Sequence, residues 1–381
     1  MRFLYVAPRY HTNQVPIMRG LKREGHEVCF LSQYAGSVED YSDVTPVVVG
    51  YSRIFLFLDA CYVKWIGKWD KKAKDRKIKC GFPAMGKLAS NIRDFKPDVA
   101  ILRERSAYSI CAYLICRRYH IPAILYNQSP LWEDRIKNDL PHKLVRMITP
   151  KVRMTPVYGK SGKEKVIEPG AAFVPFVMEP VLSADKRIWQ KDGVTHIFCI
   201  GKYEQRKNQR MMIEAVGTLL KEYKLHLTIA GECSTDAHCV YYHELEKYVC
   251  MHNLDNHVTL LKNLSRTRID EQYRNADLFV IPSTLEPASI SQLEAMAYSL
   301  PVICSDTNGT ACYVENGENG WVFRDNNREA LIQALGKILS SPGKMKLMGE
   351  KSYQLIVEKY QIEAYLAGIR RLLENLRHKE A

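Results

Sequence analysis

Two glutamates, Glu286 and Glu294, are the residues whose type and spacing most clearly could do chemistry. The strand-like run Leu278–Ile281 precedes Glu286, and a helix is expected to start near Ser289. Glu286 would then lie in a loop at the carboxyl end of a strand, and Glu294 inside the helix. The free amides at the start of that helix suit a phosphate. The pattern therefore predicts a site in which two carboxylates approach the two ends of one extended ligand.

A second group of candidate residues follows another strand-like run, 195–200. Gly201 and Lys202 come directly after this run, and Lys207 precedes the next predicted helix. A glycine turn with cations at this place could clamp a diphosphate. Alone, it is equally typical of a solvated charge run at a helix start. Beside the Glu286 segment, we interpret it as part of the same site.

Alternating strands and helices predict a parallel α/β fold in both halves of the chain. The first half is predicted to hold strands at 3–7, 99–102 and 123–126, a strand entered through Gly25–Val28, and helices at 15–24 and 107–119. The second half is predicted to hold strands at 195–200, 226–230, 258–261, 278–281 and 301–304, and helices at 208–222, 239–252, 266–275, 289–298 and 327–340.

Three units are expected: a first domain over 1–180, a second over 181–360, and a docking helix over 361–381. Two prolines within 173–180 disfavour helix there and mark the boundary. In the last unit, the apolar residues of 362–378 fall on one helical face. Spacing alone leaves open which domain this helix contacts.

The second half resembles the nucleotide-sugar domain of retaining GT-B glycosyltransferases, specifically glycosyltransferase family 4, over about 195–360. Glu286 and Glu294 match the family's paired glutamates, and Gly201, Lys202 and Lys207 match its glycine, basic residue and lysine. The segments 294–297, 300–303 and 316–323 also follow the family pattern. The resemblance implies two Rossmann-like domains that face a cleft, with a C-terminal helix crossing back to the first domain.

By the same resemblance, Glu294 should bind the ribose of a nucleotide, and Glu286 should bind the donor sugar and stabilise charge at its ring. The diphosphate should be held by the amides of Ser289, Ile290 and Ser291 and by the side chains of Lys202 and Lys207. These groups would stabilise the leaving group without a metal or a cofactor. The chain departs from the family in having Ala288 and Ser289 where Phe and Gly are usual.

The first half matches the family in architecture rather than in motifs. Thr12 or Asn13 could cap the helix that follows the first strand, and either could also face a phosphate. Gln128 stands where the family often has a catalytic-site histidine, six residues after Pro122. Glutamine can hydrogen-bond a sugar hydroxyl but cannot shuttle protons, so we expect it to bind substrate. His11 and His26 are the alternatives for the role of that histidine, and His26 lies in a Gly-His-Glu-Val turn that favours a structural role.

Residues 54–79 are predicted to contact an anionic membrane. Leu58, Tyr62, Trp65 and Trp69 fall on one helical face. Cations lie close by, including Lys68, Lys71 and Lys72. Aromatic and basic residues on one amphipathic segment suit an anionic bilayer surface. The alternative is a core helix followed by a solvated basic tail.

Charge and composition agree with a membrane-facing first half. The 381 residues carry a net charge of +13, and residues 1–180 alone, with 30 Lys and Arg against 17 Asp and Glu, account for all of it. Eleven cysteines without a CxxC spacing favour reduced thiols in the cytosol. The spacing of Cys233, His238, Cys239 and His243 matches no standard zinc pattern. We therefore expect a cytoplasmic protein held peripherally on the inner membrane.

These observations predict a hexosyltransferase that uses a nucleotide-diphosphate sugar, with UDP-sugars favoured. Its acceptor would be a lipid-linked or membrane-associated glycan of bacterial surface polysaccharide. Two alternatives share the architecture: a nucleotide-sugar epimerase, and a non-catalytic partner subunit. A nucleic-acid-binding protein would fit the basic charge, but the chain has no recognition motif for one.

Overall fold

The computed structural model describes residues 1–36, 40–65, 73–103, 106–128, 147–161, 164–167 and 170–380. Within these ranges the chain forms two mainly parallel sheets, each flanked by helices. One sheet uses strands from residues 2–173 and the other uses strands from 195–323. The α/β fold with two Rossmann-like units is therefore confirmed. The expected boundary near residue 180 falls between the last strand of the first sheet and the first strand of the second.

The first sheet has the order β3-β2-β1-β4-β5-β6-β9. Its strands, with a separate two-stranded ribbon of β7 and β8, are β1 (Arg2–Ala7), β2 (Glu27–Ser32), β3 (Val47–Val48), β4 (Val99–Arg103), β5 (Ala123–Tyr126), β6 (Arg153–Thr155), β7 (Gly159–Ser161), β8 (Glu164–Val166) and β9 (Ala171–Phe173). The helices of this half are α1 (Val15–Arg23), α2 (Arg53–Trp65), α3 (Ala73–Cys80), α4 (Met85–Phe95) and α5 (Ala107–Arg118).

The second sheet has the order β12-β11-β10-β13-β14-β15. Its strands are β10 (Thr195–Ile200), β11 (Leu225–Gly231), β12 (Val258–Lys262), β13 (Leu278–Ile281), β14 (Val302–Ser305) and β15 (Gly320–Phe323). The helices after β10 are α6 (Gln209–Leu219), α7 (Asp236–Met251), α8 (Arg266–Asn275), α9 (Ile290–Ala297), α10 (Arg328–Leu339), α11 (Pro342–Lys359) and α12 (Ile362–Glu380).

Helices cover both faces of the second sheet, and β13 shows this most clearly. Its four residues are all buried. Leu278 and Val280 pack into one hydrophobic cluster, and Phe279 and Ile281 pack into the cluster on the other face. A strand that is buried on both faces reads as a continuous apolar run, which is why the sequence predicted this strand at the correct bounds.

The C-terminal helix α12 packs against the first sheet rather than the second. Ile362 and Ile369 lie in the same core cluster as Tyr5. The hydroxyls of Tyr5 and Tyr365 are hydrogen-bonded at 2.8 Å. A Cβ added to Gly20 would lie 2.7 Å from Cγ1 of Ile362, so the glycine lets α1 and α12 approach closely. The expected crossing back to the first domain is confirmed.

Across the part of the chain that the structure describes, no helix combines the length and the apolar character that crossing a membrane requires.

Candidate active site

The candidate site lies where the strand order of the second sheet reverses. The strand β10 comes first in sequence among the strands of this sheet, yet it lies between β11 and β13. The loops that follow β10 and β13 therefore leave the same sheet edge side by side. In open α/β sheets this switch point is the usual place for a ligand.

Glu286 is held by two cations from the neighbouring loop. Lys207 Nζ donates to Glu286 Oε2 at 2.5 Å, and an Arg206 guanidinium nitrogen donates to the same oxygen at 2.8 Å. Burial by itself would raise the pKa of Glu286, but Lys207 and then Arg206 lower it, and the net shift is downward. Glu286 is therefore a carboxylate at neutral pH, fixed between two positive charges.

The backbone around Glu286 is set by contacts with two other segments, the loop after β10 and the segment after β14. Leu285 has a φ of +46°, a conformation that costs free energy for a residue with a Cβ. Its amide donates to Thr307 Oγ1 at 2.9 Å. The carbonyl of Glu286 accepts from the Gly309 amide at 2.8 Å, and the Thr284 amide donates to the Arg206 carbonyl at 2.8 Å. These bonds hold the strained turn and direct the carboxylate toward the loop after β10.

Glycine at position 201 makes room for Lys207. A Cβ at Gly201 would lie 3.1 Å from Cδ of Lys207, closer than most real contacts. The other end of the loop is tied to the β13 side, because Asn208 Nδ2 donates to the carbonyl of Pro282 at 3.0 Å and to Thr284 Oγ1 at 2.9 Å. The glycine and the asparagine therefore bring Lys207 across to Glu286.

Lys202 has a different partner from Lys207. Its Nζ lies 3.3 Å from an oxygen of Glu232, which follows β11, and both side chains are about half exposed. The Ser234 hydroxyl first, and then Lys202, lower the pKa of Glu232. The two lysines of the predicted clamp therefore belong to different ion pairs, with only Lys207 buried against Glu286.

Glu294 lies on α9 and is paired with side chains of α8. Arg266 donates to Glu294 Oε1 at 2.5 Å, and the buried Tyr273 hydroxyl donates to Oε2 at 3.0 Å. Burial would lower the pKa of Arg266, but Glu294 and then Asp270 raise it, and the net shift is upward. Glu294 is thus oriented by a charged and a neutral donor, as a carboxylate that binds ribose hydroxyls would need to be.

The start of α9 presents unpaired backbone donors. Ser289 is its N-cap residue, but its side chain makes no capping bond. Instead, the hydroxyls of Ser289 and Ser291 bond to each other at 2.9 Å. The amides of Ile290 and Ser291 lie in the first turn, where no helical carbonyl is available to them. Free amides at a helix start are the groups that a phosphate binds, and here Ser289 stands where the family usually has glycine.

Asn13 and Gln128 lie in the first half of the chain, after β1 and β5. The prediction that Asn13 or Thr12 caps α1 is wrong. Gln14 is the N-cap of α1, without a side-chain capping bond, because the chain first makes a short 3₁₀ turn over residues 12–14. Among the described residues, Oδ1 of the buried Asn13 has no hydrogen-bond partner. Gln128 is half-buried, and no described hydrogen bond joins it or Asn13 to Glu286.

The predicted membrane segment contains α2, which has no buried residue. Ile54, Phe57 and Trp65 are 76%, 68% and 77% exposed. The alternative of a core helix is therefore wrong for α2. Four further residues of the prediction lie outside the described part of the chain: Trp69, Lys68, Lys71 and Lys72.

Three residues at the site were not singled out from the sequence: Arg206, Arg266 and Tyr273. Arg206 stands next to Lys207 in the cation run, so its position was itself a signal. Arg266 and Tyr273 come from α8, and their contact with Glu294 depends on how two helices pack. Among the described residues no three His, Cys, Asp or Glu side chains form a group that could hold a metal.

Comparison with known proteins gives a sequence match in the second half. Residues 183–355 match the family described as Glycosyl transferases group 1. The lipopolysaccharide core biosynthesis mannosyltransferase LpcC of Rhizobium leguminosarum bv. viciae is 25% identical over 171 residues, which are 45% of this chain and 48% of LpcC. The mannosyltransferase LpsB of Rhizobium meliloti is 23% identical over 180 residues, 47% of this chain and 51% of LpsB. The chain spans about half the length of the curated relatives it matches.

Solved structures match over nearly the whole chain. Anabaena HepE in complex with UDP has a TM-score of 0.69 at 11% identity and covers 98% of this chain and 100% of that one. A glycosyltransferase from Rickettsia africae has a TM-score of 0.68 at 15% identity, and the match covers 99% of this chain and 97% of the Rickettsia chain. Identities this low show the fold alone. Residues 183–355 are therefore similar in sequence to the group 1 glycosyltransferases, and the chain as a whole has the two-domain fold of the solved GT-B glycosyltransferases.

Proposed function

We propose that this protein is a retaining glycosyltransferase. It moves a hexose from a nucleotide-diphosphate sugar, preferably a UDP-sugar, to a lipid-linked or membrane-associated glycan of bacterial surface polysaccharide. The reaction needs no metal ion, and the protein works on the cytoplasmic face of the inner membrane. The observation that carries the proposal is the contact of Glu286 with Lys207 and Arg206 beside the start of α9.

This arrangement supplies charges of both signs where sugar transfer needs them. As the bond to the sugar breaks, negative charge grows on the diphosphate and positive charge grows on the sugar ring. The negative charge would be stabilised by Lys207, Arg206 and the amides at the start of α9. The positive charge would be stabilised by the carboxylate of Glu286. Glu294, fixed by Arg266 and Tyr273, would hold the ribose at the other end of the donor.

The relatives support the class of donor and acceptor. LpcC and LpsB are named as lipopolysaccharide core biosynthesis mannosyltransferases. Mannose is a hexose, and lipopolysaccharide is a surface glycan. Anabaena HepE has been solved with UDP and with UDP-glucose. On this basis we assign the present chain a hexose donor and prefer uridine as its base.

The exposed helix α2 supports an acceptor at a membrane. Its side chains Ile54, Phe57 and Trp65 are largely exposed, and cations of the same segment would contact anionic lipid headgroups. A lipid-linked glycan could then be presented to the first domain, opposite the donor site.

Binding to a panel of nucleotide sugars tests the donor assignment. We expect one or a few UDP-sugars to raise the melting temperature, and Glu294→Ala to abolish that shift while the variant still unfolds cooperatively. Transfer should persist in excess EDTA and should retain the anomeric configuration of the donor by NMR. Binding of no nucleotide sugar by folded protein would refute the proposal.

Sedimentation with vesicles tests the acceptor side. Wild-type protein should bind vesicles containing anionic lipid and not neutral ones, and Trp65→Ala should weaken that binding. Leu114→Ala is the matched control, because Leu114 is also exposed but lies on α5. An equal loss of vesicle binding in Trp65→Ala and Leu114→Ala would contradict a membrane-bound acceptor. Transfer to soluble acceptors only would contradict it as well.

A further inference from the structure

Two cysteines meet beside the candidate site although neither has a role in the proposed transfer. Cys233 lies in the loop between β11 and α7, and Cys239 lies in the first turns of α7. Their sulfur atoms are 2.6 Å apart, and both side chains are partly buried. Closing this contact to a disulfide requires the sulfurs to approach by only about 0.6 Å.

Local hydrogen bonds fix the two cysteines relative to each other. The Cys233 amide donates to Asn263 Oδ1 at 2.8 Å, and Asn263 Nδ2 donates to the Cys233 carbonyl at 3.2 Å. At the other side, Thr235 caps α7 by accepting from the His238 amide at 3.3 Å. The side chain of Asn263 thus holds one cysteine and the helix cap holds the other. The two sulfurs are therefore held side by side by ordered segments.

The pair is suited to redox chemistry rather than to metal binding. In the described part of the chain no third ligand joins Cys233 and Cys239 in a group that could hold a metal. Two adjacent thiols that are partly accessible are instead the arrangement that exchanges with a disulfide through a mixed-disulfide intermediate.

The loop that carries Cys233 is also connected to the candidate donor site. Glu232, the preceding residue, pairs with Lys202 at 3.3 Å, and its carbonyl accepts from the Tyr203 amide at 3.2 Å. Lys202 must leave Glu232 if it is to bind the diphosphate of a donor. Anything that restrains this loop therefore restrains Lys202.

We propose that Cys233 and Cys239 form a redox-active dithiol that closes to a disulfide and holds Glu232 on Lys202, weakening donor binding. The oxidant is a small disulfide such as oxidised glutathione. One protein thiolate attacks a sulfur of the oxidant and releases one glutathione thiolate. The second protein thiolate then attacks the mixed disulfide and releases the other. Two thiols are oxidised, one disulfide is reduced, and two glutathione thiols leave. The effect on donor binding rests on the proposed function, whereas formation of the disulfide does not.

Mass spectrometry of the folded, full-length protein tests the disulfide. Residues 225–247 contain no Lys or Arg before Lys247, so trypsin releases both cysteines in one peptide. After treatment with oxidised glutathione and alkylation, we expect this peptide unalkylated and lighter by two hydrogen atoms. The exposed Cys80 and Cys250, each alone in its peptide, are the controls and should carry glutathione or the alkylating group. In Cys239→Ser, Cys233 should carry glutathione instead. A wild-type peptide glutathionylated or alkylated at both cysteines would overturn the proposal.

Calorimetry with UDP and UDP-sugars tests the link to the donor site. Oxidised wild-type protein should bind several-fold more weakly than reduced protein, and Cys233→Ser should bind equally in both conditions. Glu232→Gln should remove the difference while its disulfide still forms. Equal affinity of the oxidised and reduced wild type would overturn the link. Failure of the proposed function would differ from both outcomes, because reduced protein would then bind no nucleotide sugar even though the disulfide forms.

Discussion

The carboxyl ends of the two sheets differ in how their polar groups are satisfied. In the second sheet, charged side chains from different elements are paired: Glu286 with Lys207 between two loops, and Glu294 with Arg266 between two helices. In the first sheet, within the described part of the chain, the loop after β1 instead carries two buried neutral groups without a hydrogen-bond partner, Oδ1 of Asn13 and the hydroxyl of Tyr10. The corresponding edge of the second sheet has one such atom, Oε1 of Gln209, beside its ion pairs. The two sheets share the same order of strands around their first strand, so topology does not explain the difference.

The difference shows which half is organised before a ligand arrives. In the proposed site, ion pairs already hold Lys207 and Glu294 where the diphosphate and the ribose would bind, whereas Lys202 must first leave Glu232. A buried oxygen without a hydrogen bond costs free energy, and a ligand that donates to it would remove that cost. We therefore expect the second half to bind the donor by itself and the first half to be completed by substrate.

The largest expected effect comes from replacing Glu286 with glutamine. Glutamine keeps the shape but removes the charge that faces the sugar, so transfer should fall by about 10²-fold or more. Release of nucleotide diphosphate in the presence of acceptor measures the rate. Glu204→Gln is the matched control, since Glu204 also pairs with Arg206 but through its exposed side. An unchanged rate in Glu286→Gln would show that the charge of Glu286 has no part in the transfer reaction.

The second prediction tests whether the core of the first half contributes to the stability of the fold rather than to binding of the donor. Ile369→Ala removes a buried side chain of α12 from the core of the first sheet, and should lower the free energy of unfolding by about 2–4 kcal/mol. Urea denaturation measures it, with the exposed Ile188→Ala as control. Well below the melting temperature, the affinity for UDP should be unchanged. Loss of UDP binding by folded Ile369→Ala would show that the two halves are coupled.

A third prediction separates the two lysines of the clamp. Lys207 is buried against Glu286, whereas Lys202 is half exposed beside Glu232. Lys207→Ala should weaken UDP binding about tenfold, since a charged hydrogen bond contributes about 1.5–3 kcal/mol. Lys202→Ala should have a smaller effect, because the exposed side chain must first leave Glu232. Titration calorimetry measures both. The reverse order would mean that the exposed loop, not the buried pair, holds the diphosphate.

The same contrast explains what could be predicted from the sequence. The strands 195–200 and 278–281 were predicted at their observed bounds because buried parallel strands are continuous apolar runs. Gly201, Lys207 and Glu286 could be proposed as one site because short loops follow those strands. The site assignments themselves, including the roles of Ser289 and Glu294, remain predictions.

Features that depend on packing between distant elements were not predicted. Arg266 and Tyr273 reach Glu294 from α8, and nothing in their own segment indicates it. Strand β15 was missed because it is short, and helix α11 was missed because its sequence has no clear apolar face. The predicted cap by Asn13 failed because residues 12–14 form a 3₁₀ turn, which places Gln14 directly before α1.

The smallest expected effect concerns pH and returns to the paired charges of the second half. Folding lowers the pKa of Glu286, so its ion pairs stabilise the folded state. This stabilisation is complete above a pH of about 5, where a glutamate in the unfolded chain is ionised as well. That contribution is lost as the pH falls through the lowered pKa of the folded state. The difference in melting temperature between wild type and Glu286→Gln should therefore be largest near neutral pH and should shrink in acid. Scanning calorimetry at pH values from neutral downward measures it. A constant difference would mean that shape rather than charge holds Glu286 between Lys207 and Arg206, and the second half would then not be organised by its charges.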